Sequence, residues 1–447
     1  MTNDLDRLAR NRSHRHERHG GALTGCAGND NRSASASRYT ATQRPESRCN
    51  SAHTGVRRGH CGCRRPARGI ASSRSRPTWG MSAWLPRARQ NGGLPLPKAE
   101  ARLCSIATAV PEYVLTQTEV TERTRRVFGL RMPEFERLAP VFENAGIATR
   151  HAVRPSDWYE RDQSWADRTQ VYLSEATRLF IDASRVALER AGISGADVDC
   201  VVTASSTGIA TPSLETRAAA ALGLRPDVAR VPVFGLGCAG GVTGLSIAAR
   251  LAEARPGSNV LLVAVELCTL AIRLDKLTKA NIVALALFGD GAAAAVIRTN
   301  ARGHARITAA DEHSWPDTLD IMGWDVDQQG FGVIFDRSIP VFASQHLRPA
   351  IDSILQRQRL SRDSIDRFIC HPGGAKIVDA IETGLSLNAG VLDHERAVLA
   401  RYGNMSAPTA LFVLERAMAA GLPPRSVLMA FGPGFTLSTV TLARDAA

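Results

Sequence analysis

Residues 231–254 read VPVFGLGCAGGVTGLSIAARLAEA. Val231 to Leu236 has the composition of a strand. A turn punctuated by glycine follows, Gly235-Leu236-Gly237-Cys238-Ala239-Gly240-Gly241, and a helix of small residues runs from about Ala239 to Ala254. Glycines on both sides of Cys238 permit a tight bend and let another group approach the backbone closely. A thiol at a helix N-terminus feels the positive end of the dipole, which stabilises thiolate and lowers its pKa. The same residues also fit a small buried cysteine packing in a crossover.

On either side of this stretch the pattern of strand, turn and helix recurs. Arg102 to Val110 reads as a strand ended by Pro111, and Thr116 to Phe128 and Thr169 to Ala191 as helices. The second helix carries apolar residues at Val171, Ala176, Leu179, Ala183 and Val186, and Gly192 stops it. Asp199–Ala204, Val260–Val265 and Ala292–Ile297 are apolar runs of strand length, and Leu214–Leu222 reads as a helix. A second series follows: a helix near Ser344–Gln358, a strand Arg367–Cys370, helices from about Ala375 and Ala407, and strands Ser426–Phe431 and Thr436–Ala443. Alternating strands and helices of this kind predict an α/β fold with helices covering sheets that contain parallel strands.

Two turns of the second series carry residue types that match a cysteine nucleophile. In Phe368-Ile369-Cys370-His371-Pro372-Gly373-Gly374 a histidine follows an apolar strand and enters a turn. A histidine so placed can serve as a base or as an ion-pair partner for a thiolate; a structural histidine fits as well. In Tyr402-Gly403-Asn404-Met405-Ser406 the asparagine precedes a helix, so it can cap that helix or donate an amide hydrogen bond to a developing oxyanion.

Composition narrows the alternatives. The chain has 447 residues, 44% of them apolar, enough for a large core. Residues 1–98 hold 18 Arg and one Lys against five acidic residues, about +14 against a formal total of +12, so the remainder is near neutral. That tail has no apolar period and reads as disordered; it also resembles non-coding sequence translated from a GC-rich gene, and only four lysines in the chain fit such a source. It lacks an interleaved aromatic platform, which argues against nucleic-acid binding. His60-Cys61-Gly62-Cys63 does not have the spacing of a structural zinc site, and no metal is expected. No run reaches the roughly 18–20 apolar residues of a membrane span. Nine scattered cysteines suit a reducing cytoplasm.

Cys238, His371 and Asn404, in that order and each in its own glycine-rich turn, resemble the active site of decarboxylating condensing enzymes of the thiolase superfamily. His-Pro-Gly-Gly, Gly-Asn-Met-Ser, the Phe431-Gly432-Pro433-Gly434 loop and Leu287-Phe288-Gly289-Asp290-Gly291-Ala292 narrow the resemblance to type III polyketide synthases, the chalcone synthase family. Ketoacyl synthase III, a relative that extends on acyl carrier protein, normally follows its histidine with Gln-Ala-Asn. The resemblance spans about Ala99 to Ala443. It implies two duplicated βαβαβαββ halves, 99–308 and 309–447, forming a five-layered αβαβα core. It also implies acyl-CoA starter and malonyl-CoA as substrates, no cofactor beyond these thioesters, a cytoplasmic homodimer, and an imidazolium–thiolate pair of His371 and Cys238.

The same resemblance assigns the pocket. Phe288 matches one gatekeeper aromatic, and Val333 falls where the family often has the second, with Phe331 and Phe335 two residues away. Ala271 and Cys268 lie on the pocket-wall segment, and Thr211 lies where a residue crosses to the partner's cavity. Gly373, Ser406, Gly432 and Pro433 flank the site. Small residues at 333 and 271 favour a long aliphatic starter and pyrone or resorcinol products; Trp324, where the family is often small, opposes that. Arg137 and Arg150 are the candidates for CoA phosphates.

Overall fold

The computed structural model describes residues 99–444; the arginine-rich tail and its His60–Cys63 cluster lie outside them. Among the described residues a nine-stranded sheet dominates. Its order is Ala229–Val233, Cys200–Ala204, Asn259–Leu267, Asp290–Thr299, Ala101–Ala109, then Ala305–Ser314, Thr436–Ala443, Arg425–Gly432 and Arg367–Cys370. The first five strands come from the N-terminal half and the last four from the C-terminal half. Within the sheet the two groups of strands join where Arg102 and Leu103 pair with Arg306 and Ala305.

Each half repeats one plan. Cys200–Ala204 runs parallel to Asn259–Leu267, which is antiparallel to Asp290–Thr299, and that strand is in turn antiparallel to Ala101–Ala109. Arg367–Cys370 likewise runs parallel to Arg425–Gly432, which is antiparallel to Thr436–Ala443. The duplication expected from sequence is therefore present, with one difference. The second half has no counterpart of the strand Ala229–Val233; the helix Asp393–Tyr402 occupies that point in the order. Its sequence, DHERAVLARY, has no period-two alternation and buries Val398 and Leu399 on one helical face.

Strand alternation builds five layers. Val202, Ala204, Leu262, Ala264, Ala293 and Ala295 face inward and pack with Leu428, Ala430 and Val440 around two central helices, Gly240–Ala254 and Ala407–Ala419. The intervening residues Val201, Val263, Val265, Ala292 and Ala294 face outward against the helix Trp165–Arg190. On the other side Phe368, Cys370, Val427 and Met429 pack beneath Ile339–Arg357 and Ala375–Leu385. Because the side-chain period of a strand is two, each strand supplies both faces.

The central helices approach closely because their contact residues are small. A Cβ on Gly241 would sit 2.2 Å from the carbonyl oxygen of Ala407. Several ends differ from the sequence expectation. Trp165–Arg190 starts four residues earlier than expected, capped by Ser164 and Asp167 in a reciprocal box. Thr116 is the N-cap of Gln117–Phe128. Among the described residues no helix is long and apolar enough to cross a membrane, and no cluster of three or more His, Cys, Asp or Glu is placed to hold a metal.

Candidate active site

The strand Ala229–Val233 ends before the glycine turn, where Gly235 and Gly237 adopt positive φ of 88° and 48°. One 3₁₀ turn, Gly237–Ala239, carries Cys238 into the central helix that begins at Gly240. The Ser206 hydroxyl accepts hydrogen bonds from the N–H groups of Gly235 (3.2 Å) and Gly237 (3.3 Å), which fixes the turn from behind. Pro433 presses on it from the other side, with its Cδ 2.8 Å from where a Gly237 Cβ would stand. Gly432 lies as close against Ala239. Gly432 and Pro433 therefore support the turn that carries Cys238.

His371 follows the strand Arg367–Cys370, and its N–H donates to the Met429 carbonyl at 2.9 Å. The ring is buried, and neither ring nitrogen has a hydrogen-bond partner. Asn404 follows Gly403, whose φ is +68°. Its Nδ2 donates to the Gly373 carbonyl at 3.1 Å, and its Oδ1 accepts from the Ser406 N–H at 2.8 Å. Its backbone is tied to Leu287 and Gly289. The helix that follows, Ala407–Ala419, has no side-chain cap, so the capping alternative for Asn404 does not hold.

Cys238, His371 and Asn404 border one cavity of about 480 Å³. Its walls are apolar, among them Val141, Leu287, Met322, Phe335, Phe431 and Phe435. Four exposed basic residues also line it: Arg137, Lys279, Arg337 and Lys376. None of the four forms an ion pair with a described residue, so their charges face the opening unpaired. Two of the chain's four lysines are thus found at this one cavity. That scarcity was the signal in the sequence, and Lys279, Arg337 and Lys376 were missed because they lie far apart along the chain.

Electrostatics in the site are governed by burial. Burial pushes the Cys238 thiol up to about 11; the Ser406 hydroxyl pulls it down, Glu266 adds to the rise, and Asn404 lowers it. Burial alone takes His371 down to about 4. Burial thus favours the neutral form of both the thiol and the imidazole. It works against the lowered thiol and the ready-made ion pair expected from sequence, in opposition to the helix terminus and to the attraction between the two charges.

The expected pocket residues divide into groups. Cys268, Phe288, Trp324 and Val333 form a closed apolar cluster with Phe335 and Leu287, so none of the first four borders the cavity. Phe288 lies 5.7 Å from Phe335 and 6.2 Å from Trp324, ring to ring. The Trp324 indole N–H donates to the Ser206 carbonyl at 2.9 Å, which locks it in place. Phe335, two residues on along the same strand, stands against Phe288, and Trp324 pairs with Val333 across the hairpin. Cys268 is fully buried, with its thiol pushed well above the ordinary range. Ala271 is buried away from the cavity, Ser406 lies beside Cys238, and Gly373 does line the cavity. Thr211 is exposed, next to exposed Ile209.

Arg150 is not at the opening. It is 2% exposed, and its guanidinium donates to the carbonyls of Leu285, Ala286 and Phe288 at 2.8–2.9 Å. It thus satisfies the C-terminal carbonyls of the helix Lys279–Leu287, which the helix itself leaves unpaired.

The family model for chalcone and stilbene synthases matches this chain in two parts, the N-terminal domain over residues 95–301 and the C-terminal domain over 306–444. A 1,3,6,8-tetrahydroxynaphthalene synthase of Streptomyces peucetius is 36% identical, over 76% of this chain and 92% of its own length. A putative chalcone synthase of Bacillus subtilis is 34% identical over 75% of this chain and 96% of its own length. An alpha-pyrone synthesis polyketide synthase-like protein of Mycobacterium tuberculosis is 29% identical over 76% and 90%. Among solved structures, the Streptomyces coelicolor tetrahydroxynaphthalene synthase, a bacterial type III polyketide synthase, superposes with a TM-score of 0.74 at 29% identity, covering 77% of this chain and all of that one. Both domains of the family model, matched in order around a thiolase-like core, establish that the chain belongs to the chalcone and stilbene synthases, the acyl-transferring type III polyketide synthases.

Proposed function

We propose that Cys238 is the acyl-carrying nucleophile, with His371 as its base and His371 and Asn404 as the donors that stabilise a thioester enolate. The observation that carries this is the meeting of the three residues at one apolar cavity with four unpaired cations. As the Cys238 sulfur attacks the starter thioester, its proton passes to a ring nitrogen of His371 and then to the departing CoA sulfur. Malonyl-CoA next loses carbon dioxide, and the electron pair of the broken bond forms the enolate of the acetyl thioester. The second N–H of Asn404 Nδ2 and the His371 ring donate to that oxygen; losing one such donor typically costs about 3–4 kcal/mol of barrier. The enolate carbon attacks the acyl thioester, Cys238 leaves, and the extended chain returns to CoA for another round. Cyclisation to a pyrone or resorcinol ends the sequence. The substrates are CoA thioesters, whose phosphates fit Arg137, Lys279, Arg337 and Lys376.

The starter we propose is an aliphatic acyl-CoA. The apolar walls suit an alkyl chain, and Phe288 packs ring against ring with Trp324 and Phe335 beside that cavity. Trp324 also favours a second reading, a short malonyl-derived starter, in keeping with the named product of the Streptomyces relative. The two halves, 99–308 and 309–447, each supply one side of the site. The exposed patch of Ile209, Thr211 and Phe234 beside the nucleophile turn is proposed as the face between two copies of a cytoplasmic homodimer.

The test is incubation with malonyl-CoA alone and with butyryl- to stearoyl-CoA or coumaroyl-CoA, beside Cys238→Ala. Pyrones or resorcinols from aliphatic starters, absent in the variant, support the reading. A preference for coumaroyl-CoA refutes the starter. Extension only on acyl carrier protein, in a single round, moves the chemistry to a ketoacyl synthase.

A further inference from the structure

In the N-terminal half the strand Cys200–Ala204 is hydrogen-bonded on both sides, to Ala229–Val233 and to Asn259–Leu267. Its counterpart Arg367–Cys370 pairs on one side only, with Arg425–Gly432. Its outer edge faces the place of the missing strand, and buried edge amides need partners. The Cys370 N–H finds one in a side chain, donating to Glu395 Oε1 at 2.9 Å.

Glu395 is fully buried, and its other oxygen accepts from Arg367 Nη2 at 3.2 Å. The same guanidinium nitrogen reaches Asp393 Oδ1 at 3.2 Å. Burial raises the Glu395 carboxyl to about 7, against the Cys370 N–H and Arg367, which lower it; in its ionised form it gives the Cys370 N–H a charge-assisted bond, stronger than that to a carbonyl of a neighbouring strand. The amide it fixes belongs to the residue immediately before His371. His371 itself is held by its own N–H on Met429, while its ring has no hydrogen bond. The ring direction therefore depends on the backbone at 370–371. Glu395 also sits in the first turn of the helix whose far end leads through Gly403 to Asn404.

We propose that Glu395 is a positioning residue for His371, taking over with one carboxylate the edge pairing that the missing strand would give. It touches no substrate and acts through the backbone of Cys370. This rests on the reading of His371 as base and enolate donor.

The test combines a double-mutant cycle with amide exchange. Glu395→Ala should slow malonyl-CoA decarboxylation about 10–100-fold, the usual loss for a residue that orients a reacting one, with KM changed less than about two-fold. Glu395→Gln keeps an acceptor for the Cys370 N–H and should recover most of that rate. In a His371→Ala background, Glu395→Ala should cost less than about two-fold, because its effect passes through a ring already removed. Equal losses in both backgrounds overturn the proposal. Hydrogen exchange decides it independently of catalysis. The Cys370 amide should lose at least about ten-fold of its protection in Glu395→Ala while Val427–Met429 keep theirs, and unchanged protection at Cys370 overturns the proposal. A parent protein that fails to decarboxylate malonyl-CoA refutes the function of His371 instead, and amide exchange by itself then decides whether Glu395 fixes the Cys370 backbone.

Discussion

Alkylation of Cys238 as a function of pH separates two resting states of the site. Burial places the thiol at about 11, against 9.0 for an ordinary cysteine. Two units correspond to about 2.7 kcal/mol of disfavour for the thiolate. At pH 7 about one thiol in ten thousand is then ionised, where an ordinary one gives about one in a hundred. With iodoacetamide, the rate at the Cys238 peptide should climb about ten-fold per pH unit from pH 7 to 10, read by quenched time points and peptide mass. Cys268 and Cys370, buried with thiols pushed well up, serve as internal controls that stay unlabelled. His371→Ala should leave the profile unchanged, because a neutral imidazole is not what sets it. A flat profile between pH 5 and 9, converted by His371→Ala into a rising one, would falsify the neutral pair and restore a thiolate–imidazolium resting state.

Other perturbations probe other parts of the site. Trp324→Ala removes a half-buried ring and its bond to Ser206, at a cost of about 3 kcal/mol at the lower end of the aromatic range. The opened space should shift products to longer chains, and an unchanged product mass shows that Trp324 limits nothing. Lys376→Glu or Lys279→Glu should raise KM for CoA thioesters about ten-fold at low salt, less at high salt, with kcat held; a salt-independent change sets aside the phosphate contact. Glu266 is buried and raised to about 8 from 4.5, so the folded state binds the extra proton between those values and stability falls as pH rises through that window. Glu266→Gln should therefore gain on the parent by up to about 5 kcal/mol between pH 5 and 9, seen as a widening Tm difference; a constant difference contradicts the raised carboxyl.

How much of this was legible follows from the physics of each signal. Cys238, His371 and Asn404 stood out because each sits in a glycine turn, the first two after apolar strands and the third before a helix, and such turns are local in sequence. The layers followed from strand and helix periods. The closed cluster could not be read, because Trp324, Val333 and Phe335 lie on a hairpin, Met322–Asp327 with Gly330–Phe335, whose register decides which ring meets Phe288. Counting residues put Val333 at the gate, whereas the aromatic beside Phe288 is two residues on. Arg150 looked like a phosphate ligand by charge alone, yet it is a buried support for a helix end. The raised thiol was missed because the helix terminus is visible in sequence and the depth of burial is not.

Burial at the helix ends also bears on how the fold serves the chemistry. Both central helices begin at the cavity, one at Gly240 just after Cys238 and one at Ala407 just after Asn404. Their first residues touch, since a Cβ on Gly240 would lie 3.1 Å from that of Ala407. Each helix N-terminus favours negative charge by about 0.3–2 kcal/mol. One end alone falls short of the roughly 2.7 kcal/mol by which burial disfavours the resting thiolate, and two together approach it. The balance changes during reaction. On the proposed mechanism, enolate and tetrahedral oxyanions form in this same buried site, where fixed dipoles stabilise charge without reorganising. The duplicated fold thus brings two positive helix ends to one point, where, on the proposed mechanism, they act on the charge that the chemistry creates.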